Sequence, residues 1–439
     1  MKKVFYIMIL LSLVLAACAP KSAAPSEAAP TEAAPTATAA VTVQAQDDVS
    51  FNLKYGIMMS FTGGGDTSGG PAWDHEIRTA IGEIERVLKE MGLDDQITIT
   101  AITEDDGSSA DTGVQAATKL VSGDGVSVIL GPCCSGVTVA IVSAVTAPNG
   151  VPVFTIGSSP TLTSVGANGL LFRTVPSDGL QGPVLAQVVA DALGAGAIVN
   201  IGARNDAYGT GLADAFAAAY MALGGKIGEK VIWDPAQATF DTEAQKLTSN
   251  NPAGWVIIEF PGTFPNVNAA LDRTGKFDAT KSFGGDTMFC PQAADCVSPV
   301  GMRGTVPSFT GGGGFAFEEK LRLANADPKI AFRGGFELEG WDNTMIAFLA
   351  AVSARSAAPA DLAANVHAVT DPGGTEYTAE YLKEAITDLL AGKKIKYVGA
   401  TGPTIFDANG DITVNIFDVW QIDAKSGKSE VSKQVSYTP

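Results

Sequence analysis

The chain of 439 residues carries a formal net charge of −18, with 46% hydrophobic residues and two histidines. This length is too great for one ordinary hydrophobic core and suits a body of two lobes. The acidic balance argues against nucleic acid and anionic lipid as binding partners. After residue 17 no apolar run approaches the ~20 residues of a membrane span. The composition therefore disfavours a nucleic-acid-binding protein and a membrane-spanning one.

The first residues have the pattern of an export signal. Two lysines follow Met1, an apolar run extends from Val4 to Leu15, and a Leu-Ala-Ala-Cys tetrapeptide ends at Cys18. We expect a signal peptide over residues 1–17. The tetrapeptide resembles the bacterial lipobox, in which the cysteine after the cleavage point is acylated, so Cys18 is the expected lipidation site and the only membrane contact. An ordinary secreted protein with an incidental cysteine is the alternative.

The next segment, residues 18–47, is expected to be a disordered tether behind the lipidated cysteine. It is rich in Ala, Pro, Ser, Thr and Glu, and it contains no aromatic residue and no apolar periodicity. Such a composition cannot bury a core.

From Val49 onward, short β-branched runs alternate with amphipathic helical patterns, which predicts an α/β protein with parallel sheets. Strands are expected at residues 53–59, 97–102, 126–130, 151–156, 197–202, 226–233 and 254–260, with another near Ser282. Helices are expected at residues 77–91, 112–121, 135–146, 209–223, 241–248, 339–354 and 378–390. The alternation restarts after residue 156, so two similar sheets are implied. Residues 405–422 are expected to form a hairpin around Asn409-Gly410.

Four of the five cysteines follow the anchor, in an exported and therefore oxidising setting. Cys290 and Cys296 close a short loop and are the expected disulfide. Cys133 and Cys134 are adjacent and would be strained as a pair, so we expect them to be buried thiols. Two histidines and scattered cysteines are too few for a metal site.

Three turns that follow strands are candidates for ligand binding, because ligands of such folds lie beyond the carboxyl ends of the strands. In the first, Ser135 stands at a helix start, where a hydroxyl and free N–H groups suit a carboxylate. From spacing alone, a plain helix cap is the favoured explanation of Ser135. The second turn runs from Ile156 through Ser158 and also fits an ordinary turn. In the third, Tyr208 precedes a Gly-Thr-Gly that lacks the third glycine of a dinucleotide-binding motif.

Catalytic motifs are sparse. His75 and His367 are not near any nucleophile motif, and neither Gly-x-Ser-x-Gly nor a Walker loop is present. Residues 407–411 resemble the start of a calcium loop, but the later glutamate is missing. We therefore expect no enzyme activity, no cofactor and no metal. An exported α/β hydrolase or dehydrogenase is the disfavoured alternative.

Taken in order, these segments resemble the leucine/isoleucine/valine-binding-protein family, the type I periplasmic binding proteins of branched-chain amino acid ABC importers. The resemblance extends over about residues 51–422. Its marks are Tyr55-Gly56-Ile57, Glu104-Asp105-Asp106, Asp124-Gly125-Val126, residues 129–135, 151–154 and 172–178, Asp206-Ala207-Tyr208-Gly209, residues 397–402, Phe406-Asp407 and Asn409-Gly410-Asp411.

The resemblance implies two Rossmann-like lobes joined by three chain crossings, near residues 173–177, 304–308 and 399–403. Both lobes are then discontinuous in sequence. The implied first lobe comprises residues 48–174 plus 306–400, and the second comprises residues 175–305 plus 401–439.

The resemblance also implies the binding residues. Ser135 and Ser158, with backbone near Ile156, hold a ligand carboxylate, and Tyr208 covers it. Asp286 takes the ammonium group, and Phe260 lines the side-chain pocket. The chain departs from the family pattern at Ser158, where threonine is usual, at Asp286, where glutamate is usual, and at Gly69 or Gly70, where a bulky side chain is frequent.

The function implied is that of a monomeric, lipid-anchored solute-binding protein outside the cytoplasm, delivering an amino acid to an ABC transporter permease. Because of the departures from the family pattern, amides, urea-like solutes and other amino acids remain open as ligands. A sensor that presents its closed form to a receptor is the other alternative.

Overall fold

The computed structural model describes residues 49–65, 69–308, 336–413 and 416–437. The expected signal peptide, the lipidation site Cys18 and the expected tether lie outside the described residues.

Strands and helices alternate along the described chain. The strands are β1 (Phe51–Met59), β2 (Ile97–Asp105), β3 (Val128–Leu130), β4 (Val153–Thr155), β5 (Leu171–Arg173), β6 (Ile198–Arg204), β7 (Lys226–Trp233), β8 (Gly254–Ile258), β9 (Ser282–Gly284), β10 (Arg303–Pro307), β11 (Thr375–Tyr377), β12 (Ile395–Gly399), β13 (Gly402–Pro403), β14 (Ile416–Ile422) and β15 (Ser429–Ser436). The helices are α1 (Gly70–Met91), α2 (Ala110–Thr118), α3 (Ser135–Ile141), α4 (Asp178–Leu193), α5 (Ala207–Ala222), α6 (Asp241–Leu247), α7 (Phe264–Arg273), α8 (Glu337–Ala354), α9 (Pro359–Val369) and α10 (Leu382–Leu390). Helices α2 and α3 each continue into a π-helical turn, Lys119–Asp124 and Val142–Thr146.

The first sheet has five parallel strands in the order β2-β1-β3-β4-β5. Its central strands are apolar because helices cover both faces. On β1, Tyr55 and Ile57 belong to a core shared with α1 and α8, whereas Met58 packs with α3 on the opposite face. Successive side chains of a strand point to opposite faces, so one short strand supplies both layers.

The second sheet has seven strands in the order β15-β14-β10-β9-β8-β6-β7. Strands β6 to β10 run parallel to their neighbours within this group, and β14 is antiparallel to both β10 and β15. A small third sheet joins β11, β12 and β13. The carboxyl ends of the parallel strands in both large sheets carry the turns that the sequence singled out.

Most expected elements are present, and β7 has the bounds that the sequence predicted. The hairpin expected over residues 405–422 is wrong in extent. Among the described residues around Asn409-Gly410, antiparallel pairing extends over residues 405–413, with a bridge between Phe406 and Ile412, and β14 pairs with β10 and β15 instead. Strand β14 forms its backbone hydrogen bonds with β10, which is distant in sequence, and with β15, which follows it. It therefore does not pair with the segment that precedes the Asn409-Gly410 turn.

The boundaries between lobes stay a prediction. Strand β5 ends the first sheet at Arg173, and α4, which starts at Asp178, packs against α5 beside the second sheet. Strand β10 lies wholly in the second sheet, whereas the expected boundary at residue 306 divides it.

Among the described helices no single one has the length and hydropathy of a membrane span; helices α8 and α9 meet that test only when they are taken together, and they are bent by 106°.

Candidate functional site

The six expected ligand-binding residues follow strands of the two large sheets, and all six are buried. They lie after β3 (Ser135), after β4 (Ile156 and Ser158), after β6 (Tyr208), after β8 (Phe260) and after β9 (Asp286). The parallel strands end at the same edges, so these turns converge.

Ser135 and the start of α3 form the donor side of the site. Ser135 Oγ accepts a hydrogen bond from the Ser159 N–H at 3.1 Å, which leaves the Ser135 hydroxyl hydrogen to be donated. Within the helix, the Thr138 N–H is donated to the Cys134 carbonyl. The N–H groups before Thr138 have no acceptor inside the helix, because the first turn of any helix lacks them. Such a group of donors suits a carboxylate.

Arg173 fixes the turn that carries Ser158 and Ser159. This arginine is fully buried, and its Nη1 donates to the carbonyl oxygens of Ser158 (2.9 Å) and Ser159 (2.8 Å). Asp411 holds the guanidinium group in turn, with Nε to Oδ1 at 2.6 Å and Nη2 to Oδ2 at 3.0 Å. The turn is therefore held by a charge-assisted network rather than by its own residues alone.

Two buried carboxylates, Asp286 and Asp178, form the acidic side of the site. Asp286 Oδ1 accepts a hydrogen bond from the Tyr208 hydroxyl at 2.7 Å, and Asp178 Oδ2 accepts one from Ser158 Oγ at 3.0 Å. Asp178 Oδ1 is buried and has no hydrogen-bond partner among the described residues.

Burial raises the pKa of both carboxyls, and the charge of Asp286 raises the pKa of Asp178 further. A cation between the two acids would supply the missing partner and offset their repulsion.

An aromatic stack lies beside the acids. The rings of Tyr208 and Phe260 are stacked with centroids 5.1 Å apart, and the Arg204 guanidinium lies 3.9 Å from the centroid of Phe260. Arg204 is held by the buried carboxylate of Glu259 at 2.8 Å. The stack gives the site an apolar wall of fixed orientation.

The two sides of the site are in contact with each other. Ser159 Oγ donates to the Ala207 carbonyl at 2.7 Å, which joins the turn after β4 to the start of α5. At another edge, a Cβ placed on Gly262 would lie 2.7 Å from the Gly65 carbonyl oxygen, so the turns after β1 and β8 also touch. Turns that follow strands of both large sheets are thus in contact with each other.

Five site residues are linked by direct contacts or by charge: Ser158, Asp178, Asp286, Tyr208 and Phe260. Ser135 joins them through Ser159, and Ile156 is buried at the end of β4. Asp178 was not predicted as a site residue, although it lies in residues 172–178, which carry part of the family resemblance. The ligand contacts of the six expected residues stay a prediction.

The cysteines differ in their surroundings. Cys290 and Cys296 form a disulfide with their Cα atoms 5.1 Å apart. Cys134 is buried, as expected, whereas Cys133, which was also expected to be buried, packs at the edge of the two cores and is partly exposed. In the part of the chain that the structure describes, no group of three or more His, Cys, Asp or Glu side chains is placed to hold a metal ion.

Comparison with known proteins identifies the family. The model of the periplasmic binding protein family matches residues 53–380. The chemotactic signal transduction system substrate-binding protein BasB of Halobacterium salinarum is 26% identical over 356 residues, 79% of this chain and 81% of the relative. The Leu/Ile/Val-binding protein BraC3 of Rhizobium johnstonii is 36% identical over 148 residues, 34% of this chain and 38% of the relative.

Solved structures share the fold. The branched-chain amino acid transporter substrate-binding protein LivJ of Streptococcus pneumoniae, in complex with isoleucine, has a TM-score of 0.67 at 19% identity, covering 88% of this chain and all of the other (100%). A solute-binding protein of an ABC transporter from Rhodopseudomonas palustris, in complex with 3,4-dihydroxybenzoic acid, has a TM-score of 0.65 at 18% identity, covering 88% and 97%.

These similarities confirm the expected α/β fold of two lobes and the expectation of a binding protein rather than an enzyme. The chain belongs to the periplasmic binding protein family, which implies an extracytoplasmic location, and part of it is similar to relatives named Leu/Ile/Val-binding proteins.

Proposed function

We propose that the protein binds a small α-amino acid between its lobes and delivers it to an ABC transporter permease. The observation that carries this proposal is the opposition of a donor side, at Ser135 and the start of α3, and an acidic side, at Asp286 and Asp178. An α-amino acid at neutral pH has a carboxylate and an ammonium group on adjacent atoms, and each finds a matching group here.

The hydrogen bonds refine the roles of the two serines. Ser135 Oγ already accepts from the Ser159 N–H, so its hydrogen is directed to the ligand carboxylate. Ser158 Oγ donates to Asp178, so its lone pairs are the groups that receive the ligand ammonium. In this proposal Ser158 belongs to the cation side rather than to the carboxylate side.

Binding is tested by calorimetric titration of the purified protein with each of the twenty amino acids. We expect Ser135→Ala and Asp286→Ala each to weaken binding at least tenfold, about 1.4 kcal/mol, with cooperative unfolding retained. Matched controls are Ser109→Ala, which removes the cap of α2, and Asp278→Ala, on an exposed turn. Unchanged affinity in both site variants would contradict the site. Binding only of uncharged amides or urea would reassign Asp286 to a neutral contact.

An aromatic acid is the second candidate ligand. The stacked rings of Tyr208 and Phe260 offer a flat apolar wall, and the Rhodopseudomonas palustris neighbour is in complex with a dihydroxybenzoic acid. Such a ligand has no cation for Asp178 and Asp286. We therefore expect benzoates to bind more weakly than amino acids at neutral pH, and the reverse order in the same titration would favour this candidate.

We favour delivery of the bound ligand to a permease. The similarity to BasB suggests a sensor as the alternative. That relative is described as a component of a chemotactic signal transduction system. Affinity capture with the ligand-loaded protein separates the two, since a permease or a receptor would be recovered. We further propose that the protein acts as a monomer.

Lipidation of Cys18 is proposed from the signal-like segment and the tetrapeptide that ends there. Expressed in a bacterium, the wild-type protein should fractionate with membranes, and Cys18→Ser should be released into the soluble extracytoplasmic fraction. Membrane association that persists in Cys18→Ser would contradict the lipid anchor.

A further inference from the structure

Two adjacent cysteines lie between β3 and the donor helix α3. Cys133 Sγ and Cys134 Sγ are 3.3 Å apart, and both are free thiols in this structure. Cys133 is partly exposed, whereas Cys134 is buried. The other two cysteines among the described residues, Cys290 and Cys296, are bonded to each other. Within the described chain, the only thiol that each of Cys133 and Cys134 can meet is therefore its neighbour.

A small polar cluster surrounds the two thiols. The Ser60 hydroxyl lies 3.5 Å from Cys133 Sγ and 3.6 Å from Cys134 Sγ. That hydroxyl donates to Asp106 Oδ1 at 2.6 Å, and the buried Asp106 Oδ2 has no hydrogen-bond partner among the described residues. The cluster keeps both sulfur atoms on the same side of the chain and close together.

We propose that Cys133 and Cys134 form a reversible vicinal disulfide whose formation weakens ligand binding at Ser135. The oxidant is a small-molecule organic disulfide. The thiolate of the more exposed Cys133 attacks one sulfur of the oxidant, which forms a mixed disulfide and releases one thiolate. Deprotonated Cys134 then attacks Cys133 Sγ, forms the Cys133–Cys134 bond and displaces the second thiol. Two protein thiols lose two electrons in total, and the oxidant is reduced to two thiols.

The bond would act directly on the donor side of the site. Adjacent Cα atoms are about 3.8 Å apart across a trans peptide, whereas disulfides ordinarily join Cα atoms about 4.4–6.8 Å apart. The two Sγ atoms must close from 3.3 Å to a bond length of about 2.05 Å within this short fixed span, which requires rotation of the side chains and of the backbone torsions of these two residues. The Cys134 carbonyl accepts from the N–H (2.9 Å) and the hydroxyl (3.1 Å) of Thr138, and Ser135 is the next residue. A turn at Cys134 thus displaces the first turn of α3.

The bond itself is tested by mass spectrometry, independently of any ligand. The purified full chain is incubated with oxidised glutathione at pH 8.5, because a hydrogen bond to Cys134 and burial raise the pKa of the Cys133 thiol. Remaining thiols are blocked with N-ethylmaleimide, and the peptide that contains both cysteines is analysed. We expect the peptide to lose two hydrogens and both maleimide adducts, and dithiothreitol to restore them.

Single-cysteine variants give the matched controls. In Cys133→Ser or Cys134→Ser the remaining thiol has no partner, so we expect a maleimide or a glutathione adduct and no loss of two hydrogens. Two maleimide adducts, or a stable glutathione adduct, on most of the oxidised wild-type peptide would overturn the proposal. The unfolded chain, treated with maleimide alone, verifies that both thiols can be detected.

The effect on binding rests on the proposed function and is measured separately. We expect the oxidised protein to bind its amino acid at least threefold more weakly than the reduced protein, and the double variant Cys133→Ser with Cys134→Ser to show no change with oxidant. Equal affinity of both forms, with the bond present, would overturn the link to Ser135. If no amino acid bound either form, the proposed function would fail while the mass measurement still decided whether the bond forms.

Discussion

Two buried aspartates of this protein differ in how completely their carboxylate oxygens are hydrogen-bonded. Asp342, in α8, accepts from the Tyr397 hydroxyl (2.9 Å), from the N–H groups of Ala400 (2.8 Å) and Thr401 (2.9 Å), and from the Thr401 hydroxyl (2.7 Å). Asp178, at the start of α4, accepts from one side chain and keeps one oxygen without a partner among the described residues. Both side chains are fully buried.

The difference separates an acid whose oxygens the fold satisfies from one that the fold leaves incompletely hydrogen-bonded. Buried polar groups are nearly always satisfied, because an unsatisfied one costs the free energy of its lost hydration. Asp342 is satisfied by the chain alone, and it ties α8 to the turn between β12 and β13. Asp178 lies near a second buried acid, Asp286, and is left incomplete. A cationic ligand group would complete it.

The largest effect is expected for Asp342→Ala. This change leaves the buried Tyr397 hydroxyl and two backbone N–H groups without an acceptor, and it should lower the free energy of unfolding by about 3 kcal/mol or more. Urea denaturation measures the loss. The control is Asp371→Ala, which removes an exposed ion pair with Lys394 and should cost much less. Equal losses of unfolding free energy in the two variants would show that the hydrogen bonds accepted by Asp342 do not contribute to stability.

A smaller effect, on binding rather than stability, is expected for Asp178→Asn. The amide keeps an oxygen for Ser158 but removes the charge, so amino-acid affinity should fall about tenfold, or 1.4 kcal/mol. The free energy of unfolding should stay the same or rise, because an incompletely paired buried charge is removed. Titration calorimetry and urea denaturation of the same sample test both statements. Lost stability with unchanged affinity would place Asp178 with Asp342 as a structural acid.

The sequence predicted elements better than it predicted the contacts around the site. Residues 226–233 were placed correctly because β-branched residues stand between turn-forming glycines and an Asp-Pro. Asp178 escaped as a site residue because an aspartate in the first turn of a helix is ordinarily explained by the helix dipole. Its burial beside Asp286 depends on how α4 packs beside the second sheet, and no local pattern encodes that.

The contacts of Arg173 and of the segment around Asn409-Gly410 are also set by residues distant in sequence. Arg173 was predicted only as part of a chain crossing, and its side chain also binds the carbonyls of the Ser158 turn and reaches Asp411, which is 238 positions away in the chain. The residues around Asn409-Gly410 gave a correct turn signal, but Asp411 serves that arginine and β14 pairs elsewhere. Local propensity predicts a turn, and tertiary contacts decide what the turn joins.

The smallest expected effect is a difference in pH dependence between wild type and Asp178→Asn without ligand. Burial raises the pKa of Asp178 above its unfolded value, so between those two pKa values the native protein binds more protons than the unfolded chain. The stability of the wild type should therefore fall as the pH rises from about 4 through the raised pKa, since stability falls wherever the native state holds the extra proton.

In Asp178→Asn this part of the fall should be absent. The pKa of Asp342 is also raised by burial, but that residue is present in both proteins and cancels in the difference. Urea denaturation between pH 4 and 8, in steps of about half a unit, gives the two curves. A saturating amino acid should remove the fall in the wild type, because its ammonium group favours the ionised acids. Parallel curves would mean that Asp178 titrates as it does in the unfolded chain, and the contrast with Asp342 would then rest on geometry alone.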